Sequence, residues 1–359
     1  MIKYIGFDIS CKETVACIIQ KNRKDAYDTM PTELKSMQHW LKKQKEDGSE
    51  IHLTFEVGGH AGWIYDGLVD IVDKLKVSNP YELTWIYRTR KKSDRIDARK
   101  QAVLLTIDEV PEVYMPKKAV RDWRVQILHR KKLVYQAVAM KNQIRALVKS
   151  KELKPVESGN WWAQKYRWWF HQLCQSEELW TDGLFDLLEQ LELYEVQTKR
   201  ITERLDKILE NHPDSELIMS MPGVGPRTTE AVLAYSDDIN RFARGKEFAS
   251  YFGMTPKLDQ SGKVCRNGHI SKQGPAVVRW LIVESAWRAV NKCPALQSFY
   301  KRVCRDNPKR KKTAIVATAR KMLTIMRAML ISRRKYDENY VLNQAQVKNE
   351  ERQNFYRSA

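Results

Sequence analysis

The sequence has 359 residues, 63 Lys and Arg against 44 Asp and Glu, and a formal net charge of +19, an excess that most often faces a polyanion and makes nucleic acid the expected partner. An apolar content of 43% excludes a wholly disordered chain, and the length suggests two or three domains at roughly 100–200 residues each. No apolar run approaches the ~20 residues of a membrane span, MIKYIGFDIS lacks a signal-peptide core, and the six cysteines form no CxxC pair, so a soluble cytoplasmic protein with reduced thiols and no membrane partner is expected.

In chain order, Tyr4–Ile9 and Thr14–Ile19 are β-rich runs separated by the polar residues 10–13, which predicts a hairpin with Asp8 inside its first strand. Helical spacing follows over Thr32–Lys43 and Trp63–Leu75. Ile51–Val57 is a third strand, with Glu56 near its end and Gly58-Gly59 behind it. Leu83–Tyr87, after an Asn79-Pro80 turn signal, is expected as a fourth. Residues 1–115 therefore predict an α/β domain with a mixed sheet.

Lys117–Leu153 has neither glycine nor proline and shows apolar residues at helical spacing among Arg121, Arg124, Arg130, Lys131, Lys132, Lys141, Arg145 and Lys149. This predicts a long basic helix. A charge run is usually a solvated face, but in a chain already at +19 phosphate contact is the stronger expectation, with Arg124, Arg130, Lys131, Lys141 and Arg145 as candidates. The tryptophans at 161, 162, 168, 169 and 180 are expected to pack between helices rather than to stack on bases. Leu184, Leu187, Leu191, Tyr194, Thr198, Ile201, Leu205 and Ile208 keep an unbroken 3-4 spacing, a coiled-coil seam that would close within the chain or between protomers. Residues 116–212 are thus a helical linker with a coiled coil, compatible with a homo-oligomer.

In MPGVGPRTTEAVLAY, from 221 to 235, Gly223 and Gly225 turn the chain into a helix starting near Arg227. The pattern resembles half of a helix-hairpin-helix clamp, whose glycines let backbone N–H groups approach a phosphate, with Gly223, Gly225 and Arg227 as nucleic-acid-binding candidates and Lys263, Arg266 and Lys272 as further ones downstream. Residues 256–275 are expected to form a basic, turn-rich loop carrying Lys263, Arg266, His269 and Lys272. Helices over Ala276–Val290 and Thr313–Ser332 complete a mostly α-helical domain over 213–335, and the polar tail, 336–359, is expected to fray.

Four carboxylates stand out: Asp8, Glu56, and the i, i+3 pair Asp94 and Asp97 in KSDRIDAR. An i, i+3 pair shares one helix face, and an Asp inside an apolar strand calls for a cation or a hydrogen-bonding partner. Clustered carboxylates are hard oxygen ligands suited to Mg²⁺, two of which can clamp a phosphodiester. The alternative for Asp94 and Asp97 is surface pairing with neighbours such as Arg95 and Arg99.

GFDIS, FEVGG and KSDRIDAR resemble the Asp-Glu-Asp-Asp set of the RuvC-like, RNase H-fold domain in transposases of the insertion sequence 110 family. The stretch from MPGVG through SYFGMTPKLDQSGKVCRNGHISKQGP to LIVESAW is similar to that family's second conserved domain. The resemblance implies that Asp8, Glu56, Asp94 and Asp97 hold Mg²⁺ and that Ser261, otherwise an ordinary turn residue, attacks DNA to form a covalent phosphoserine. It further implies a structured noncoding guide RNA, double-stranded DNA at the element junction and target, and a dimer assembling to a tetramer. A hydrolytic RuvC-like junction nuclease, in which metal-bound water attacks, is the alternative among enzymes. A non-catalytic binding protein that clamps DNA at the 222–226 turn is the alternative outside them.

Overall fold

The computed structural model describes residues 1–86, 93–155, 160–176, 178–261 and 264–339, with backbone alone at 84–86, 164–165, 258–261 and 264–267. The chain divides into two compact units, Met1–Lys118 and Ala119–Ala359.

The first unit contains β1 (Ile2–Ile9), β2 (Glu13–Ile19), β3 (Ala26–Pro31), α1 (Leu34–Lys45), β4 (Glu50–Glu56), α2 (Ala61–Leu68), β5 (Lys74–Ser78), α3 (Pro80–Ile86) and α4 (Asp94–Thr106). Its sheet has the order β3-β2-β1-β4-β5, in which β1, β4 and β5 are parallel while β2 and β3 form an antiparallel meander on β1. Alternation along β1 sorts the two faces. Ile5 and Phe7 point into the main core with Leu53 and Phe55 of β4, Met37 and Leu41 of α1, and Ile64 and Leu68 of α2. Gly6 points the other way, where α4 lies so close that a β-carbon would collide with the Ala98 carbonyl and the Ala102 amide. Cys17 joins Ala98 and Ala102 in the small core on that face.

Three expectations for this unit are corrected. Leu83 onward is helix α3, because Asn79 and Pro80 open a helix: the Asn79 side chain accepts from Tyr81 N at 3.1 Å, and Pro80 takes the first helical position. Tyr87 lies outside the described residues. The strand in this region is instead β5, within a stretch whose helix stops at Leu68 and not at Leu75. The remaining strand, β3, is an exposed edge with one buried side chain, Met30, and no apolar alternation to announce it.

The second unit opens with α5 (Lys118–Ser150), α6 (Gln164–Leu173) and α7 (Leu179–Glu210). The seam of α7 closes on α5 within the chain, and the pair is antiparallel, with one correction at its end, where Ile208 is exposed and Leu209 is buried in its place. Trp123 and Ile127 share a core with Leu205 and Leu209, while Ile144 and Val148 gather with Leu184 and Leu191. Aromatics 161, 162 and 169 pack with Phe170 of α6, and Trp180 joins the same cluster, as expected of interhelical tryptophans; Trp168 departs from the expectation and is exposed on the outer side of α6.

Beyond lie α8 (Ser215–Met219), α9 (Pro226–Ser236), α10 (Gly245–Tyr251), the hairpin β6 (Pro256–Ser261) and β7 (Val264–Ile270), α11 (Ala276–Lys292), α12 (Pro294–Cys304) and α13 (Lys311–Ser332). The expected loop at 256–275 is therefore mostly an antiparallel hairpin. The start of the polar tail is docked rather than frayed. Tyr336 N donates to Ser220 Oγ at 2.9 Å, and Glu338 accepts from Ala295 N at 2.9 Å, at the start of α12. Residues 340–359 lie outside the described part. Five described cysteines, at 11, 17, 174, 293 and 304, are free thiols. No described helix is long and apolar enough to cross a membrane.

Candidate nucleic-acid and metal site

The register Gly6↔Thr54 and Phe7↔Phe55 places Asp8 and Glu56 next to each other at the ends of adjacent parallel strands. Both share the face of Gly6, the face that α4 covers. Ala98 and Ala102 lie over Gly6, and Leu104 and Leu105 gather with Tyr4, so α4 runs antiparallel to β1. Its first turn, with Asp94 and Asp97, comes to the strand end that carries Asp8. Ser93 caps that turn, its hydroxyl accepting from Ile96 N at 3.4 Å, and acids there face the positive end of the helix dipole. The helix is tied to the meander by Arg99, whose Nε donates to Asp25 at 2.6 Å, and by Arg95 over the Tyr27 ring. Those two arginines are engaged away from the acid pair.

The donor set fits a hard divalent cation in kind, being carboxylate oxygen throughout. It also accepts positive charge in place: Lys100 Nζ donates to Asp97 Oδ1 at 2.8 Å. Among the described residues, no three His, Cys, Asp or Glu side chains stand close enough together to form a finished metal cage. Closing such a site requires the carboxylates to turn toward an ion.

In the second unit, the turn between α8 and α9 is shaped by packing. Gly223 has φ +80°, and a β-carbon there would strike the backbone of Ser285 and Ala289 in α11. Gly225, the N-cap of α9, faces open space, and Pro226 follows at the first position of the helix. Arg227 pairs with Asp206 of α7 and donates from Nη1 to Glu230 at 2.9 Å. Glu230 is fully buried, and Arg130 of α5 approaches its other oxygen at 3.5 Å. Burial pushes this carboxyl up to about 7, against the pull of Arg227 and Arg130.

The other candidate cations of α5, at 124, 131, 141 and 145, are likewise engaged within the unit. Arg124 donates to the Ala234 and Tyr235 carbonyls at 2.8 and 3.2 Å, closing the end of α9, and lies over the Tyr235 ring. Lys131 stands over Trp280, Lys141 pairs with Glu195 at 2.7 Å, and Arg145 lies over Trp161 and Trp162.

Ser261 is the last residue of β6, opposite Val264, and Arg266 follows on β7, facing Asp259 in the ladder. Lys263 lies outside the described residues. At the base of the hairpin Lys272 adopts φ +57°, and its amide donates to Gly253 O at 3.2 Å. Arg279, which no local sequence pattern singles out, donates from one nitrogen toward the carbonyls of Phe252, Gln273 and Gly274 at 3.3, 2.7 and 2.9 Å. It fixes the base of the hairpin to α11. Glu230 and Asp206 also escaped sequence reasoning, because Arg130, which faces Glu230, and Arg227, which pairs with Asp206, lie on other helices.

The chain thus combines an acid-tipped mixed sheet with a helical unit rich in cations. Two family models narrow this. Residues 5–151 match the DEDD transposase domain of IS110 elements, and residues 215–301 match the transposase family of IS116, IS110 and IS902. The chain belongs to the IS110 family of transposases.

Among relatives, a probable family 20 transposase of Pseudomonas aeruginosa is 26% identical over 57% of this chain and 62% of its own length. An insertion element IS110 protein of 43.6 kDa from Streptomyces coelicolor is 31% identical over 37% of this chain and 33% of its own. The pilin gene-inverting protein of Moraxella bovis is 25% identical over 93% of this chain and 98% of its own length. The matches thus span less than two thirds of the first two relatives and nearly all of the third.

Proposed function

We propose that the protein cleaves and rejoins double-stranded DNA to move its own insertion sequence, through a covalent phosphoserine at Ser261. The meeting of Asp8, Glu56 and the first turn of α4 at one end of the sheet carries this reading. The strand order β3-β2-β1-β4-β5, with the acids at its parallel strand ends, supports an RNase H-like, RuvC-like assignment of the first unit. Asp8, Glu56, Asp94 and Asp97 would hold Mg²⁺, which supplies Lewis-acid stabilisation of charge on the phosphodiester.

In the cleavage step the Ser261 Oγ–P bond forms and the bond from phosphorus to the leaving 3′-oxygen breaks. The serine proton passes to a base, and the leaving oxygen takes up a proton, so nothing is oxidised or reduced. The basic residues of the segment 256–275, Lys263, Arg266 and Lys272, offset negative charge growing on the phosphate oxygens. Rejoining is the same exchange with a new 3′-oxygen. The Moraxella relative is named for gene inversion, a rearrangement in which every cut must be resealed; a covalent intermediate keeps the bond energy for that step without ATP. Sequence choice is assigned to a structured noncoding RNA paired with DNA, leaving the protein to hold backbones. A homo-oligomer completes the assembly.

The test incubates purified protein with plasmid carrying the element junction in Mg²⁺, then denatures it. A protein–DNA adduct that vanishes in Ser261→Ala, with strand exchange abolished by prior ribonuclease treatment, is expected. Cutting of equal extent in both proteins without an adduct would assign the chemistry to metal-activated water and return Ser261 to a turn residue.

A further inference from the structure

Most cations that sequence reasoning selected on α5 turn inward or stack on neighbouring rings. A different segment holds its charge outward. Residues 301–312, KRVCRDNPKRKK, join α12 to α13 and carry seven cations against one acid, Asp306. Lys301, Arg302, Arg305, Lys309, Lys311 and Lys312 are exposed, and none of the seven forms an ion pair among the described residues. The link is rigid. Arg305 and Asp306 both take left-handed backbone, the Asn307 side chain accepts from Lys309 N at 3.0 Å, and Arg310 N donates back to Asn307 O at 2.9 Å. Cys304, Ala314 and Ile315 are buried on either side of it.

This arrangement is electrostatically unfavourable by itself. Like charges crowd one turn, and Arg310, Lys311 and Lys312 stand at the start of a 22-residue helix, the end whose dipole repels cations, with no acid in its first turn. A solvated helix face would carry compensating acids; this one has none. Phosphates would relieve both the crowding and the dipole. No aromatic residue lies within 301–312, and the adjoining rings are taken, Phe299 by Arg302 and Lys321 and Tyr300 by Trp287, so the surface offers charge without an open platform for stacking bases, which suits the unbroken backbone of a duplex rather than a single strand.

From this we infer that the α12–α13 link is a second, sequence-independent docking surface for the backbone of duplex DNA, separate from the hairpin and the α8–α9 turn. It rests on the reading of the protein as one that acts on DNA. Because the link is pre-ordered, binding requires little further ordering of the backbone.

The test is binding of a labelled DNA duplex to full-length protein freed of RNA, in EDTA, across a salt series. The quadruple variant K309Q/R310Q/K311Q/K312Q is compared with K21Q/K24Q/K42Q/K43Q, which removes the same four charges from exposed positions in the first unit. The patch variant is expected to bind about 10-fold or more weakly, and its slope of log affinity against log salt to fall by about three to four, at roughly 0.9 per lost phosphate contact. The control variant should stay close to wild type. Thermal unfolding of the patch variant should be unchanged or raised, since repulsion is removed. Equal losses in the two variants, or none in the patch variant, would overturn the inference. So would a preference of the patch for duplex RNA of the same sequence. Failure of wild type to bind any duplex would instead overturn the DNA-acting reading, and this inference with it.

Discussion

Arg227 reaches from the first turn of α9 to Glu230 one turn later, Nη1 to Oε2 at 2.9 Å, while its other nitrogen holds Asp206 of α7. The residue that sequence reasoning offers to a phosphate thereby also welds the glycine turn to the coiled coil. Glu230, fully buried with one oxygen lacking a hydrogen bond, carries the electrostatic strain of that junction.

Its pKa sets a pH dependence. The folded value is raised to about 7 from an ordinary 4.5, so between those values the folded state holds more protons than the unfolded state, and stability falls as pH rises. Glu230→Gln keeps the volume and removes the titration. The variant should gain stability relative to wild type between about pH 5 and pH 7 by up to about 1.4 kcal/mol per pH unit, and the difference should level off above that. Urea unfolding of the second unit at several pH values measures it.

Gly6→Ala forces a methyl group into the backbone of α4. Overpacking costs about 1–3 kcal/mol even where side chains yield, and backbone yields less. The variant should lose at least that much stability in the first unit, read by chemical denaturation, and should lose DNA cleavage under conditions where it remains folded, because the turn bearing Asp94 and Asp97 is displaced.

Arg279→Lys should not restore what Arg279→Ala loses. The three carbonyls are reached by the terminal Nη1, one bond further from the backbone than a lysine nitrogen, so an ammonium falls short of them. Both variants should show faster amide exchange at residues 252–274 and a stability loss of about 2 kcal/mol.

Thr198 sits in the α5–α7 seam with its buried hydroxyl lacking a hydrogen-bond partner. Thr198→Val replaces that hydroxyl with a methyl group of similar size and should stabilise the second unit by about 1 kcal/mol, seen as a raised midpoint in thermal unfolding. A loss of stability would mean that the hydroxyl is satisfied.

Where a regular period met a clear terminator, the fold was legible: the hairpin of β1 and β2, the uninterrupted α5, and the α7 seam all follow from spacing. Elements defined by long-range partners were not. β3 is exposed except at Met30, and β5 reads KLKVS because Lys74 and Lys76 both reach Asp108, each at 2.8 Å, far along the chain. The polar hairpin at 256–270 carries no apolar alternation. For the candidate site, sequence order brought out the four acids, and strand register brings Asp8 beside Glu56. The inward direction of Arg124 and Arg130 depends on α9, a hundred or more residues away in both cases, and no local pattern records it.

The most direct test of the acid cluster is Mn²⁺ binding to the full chain with uncleaved duplex DNA present, followed by electron paramagnetic resonance, for wild type, Asp8→Asn, Glu56→Gln and Asp97→Asn. If these carboxylates form one cation site, each substitution weakens binding by about 10-fold or more while the protein stays folded. Unchanged Mn²⁺ affinity in Asp8→Asn or Glu56→Gln would contradict the account.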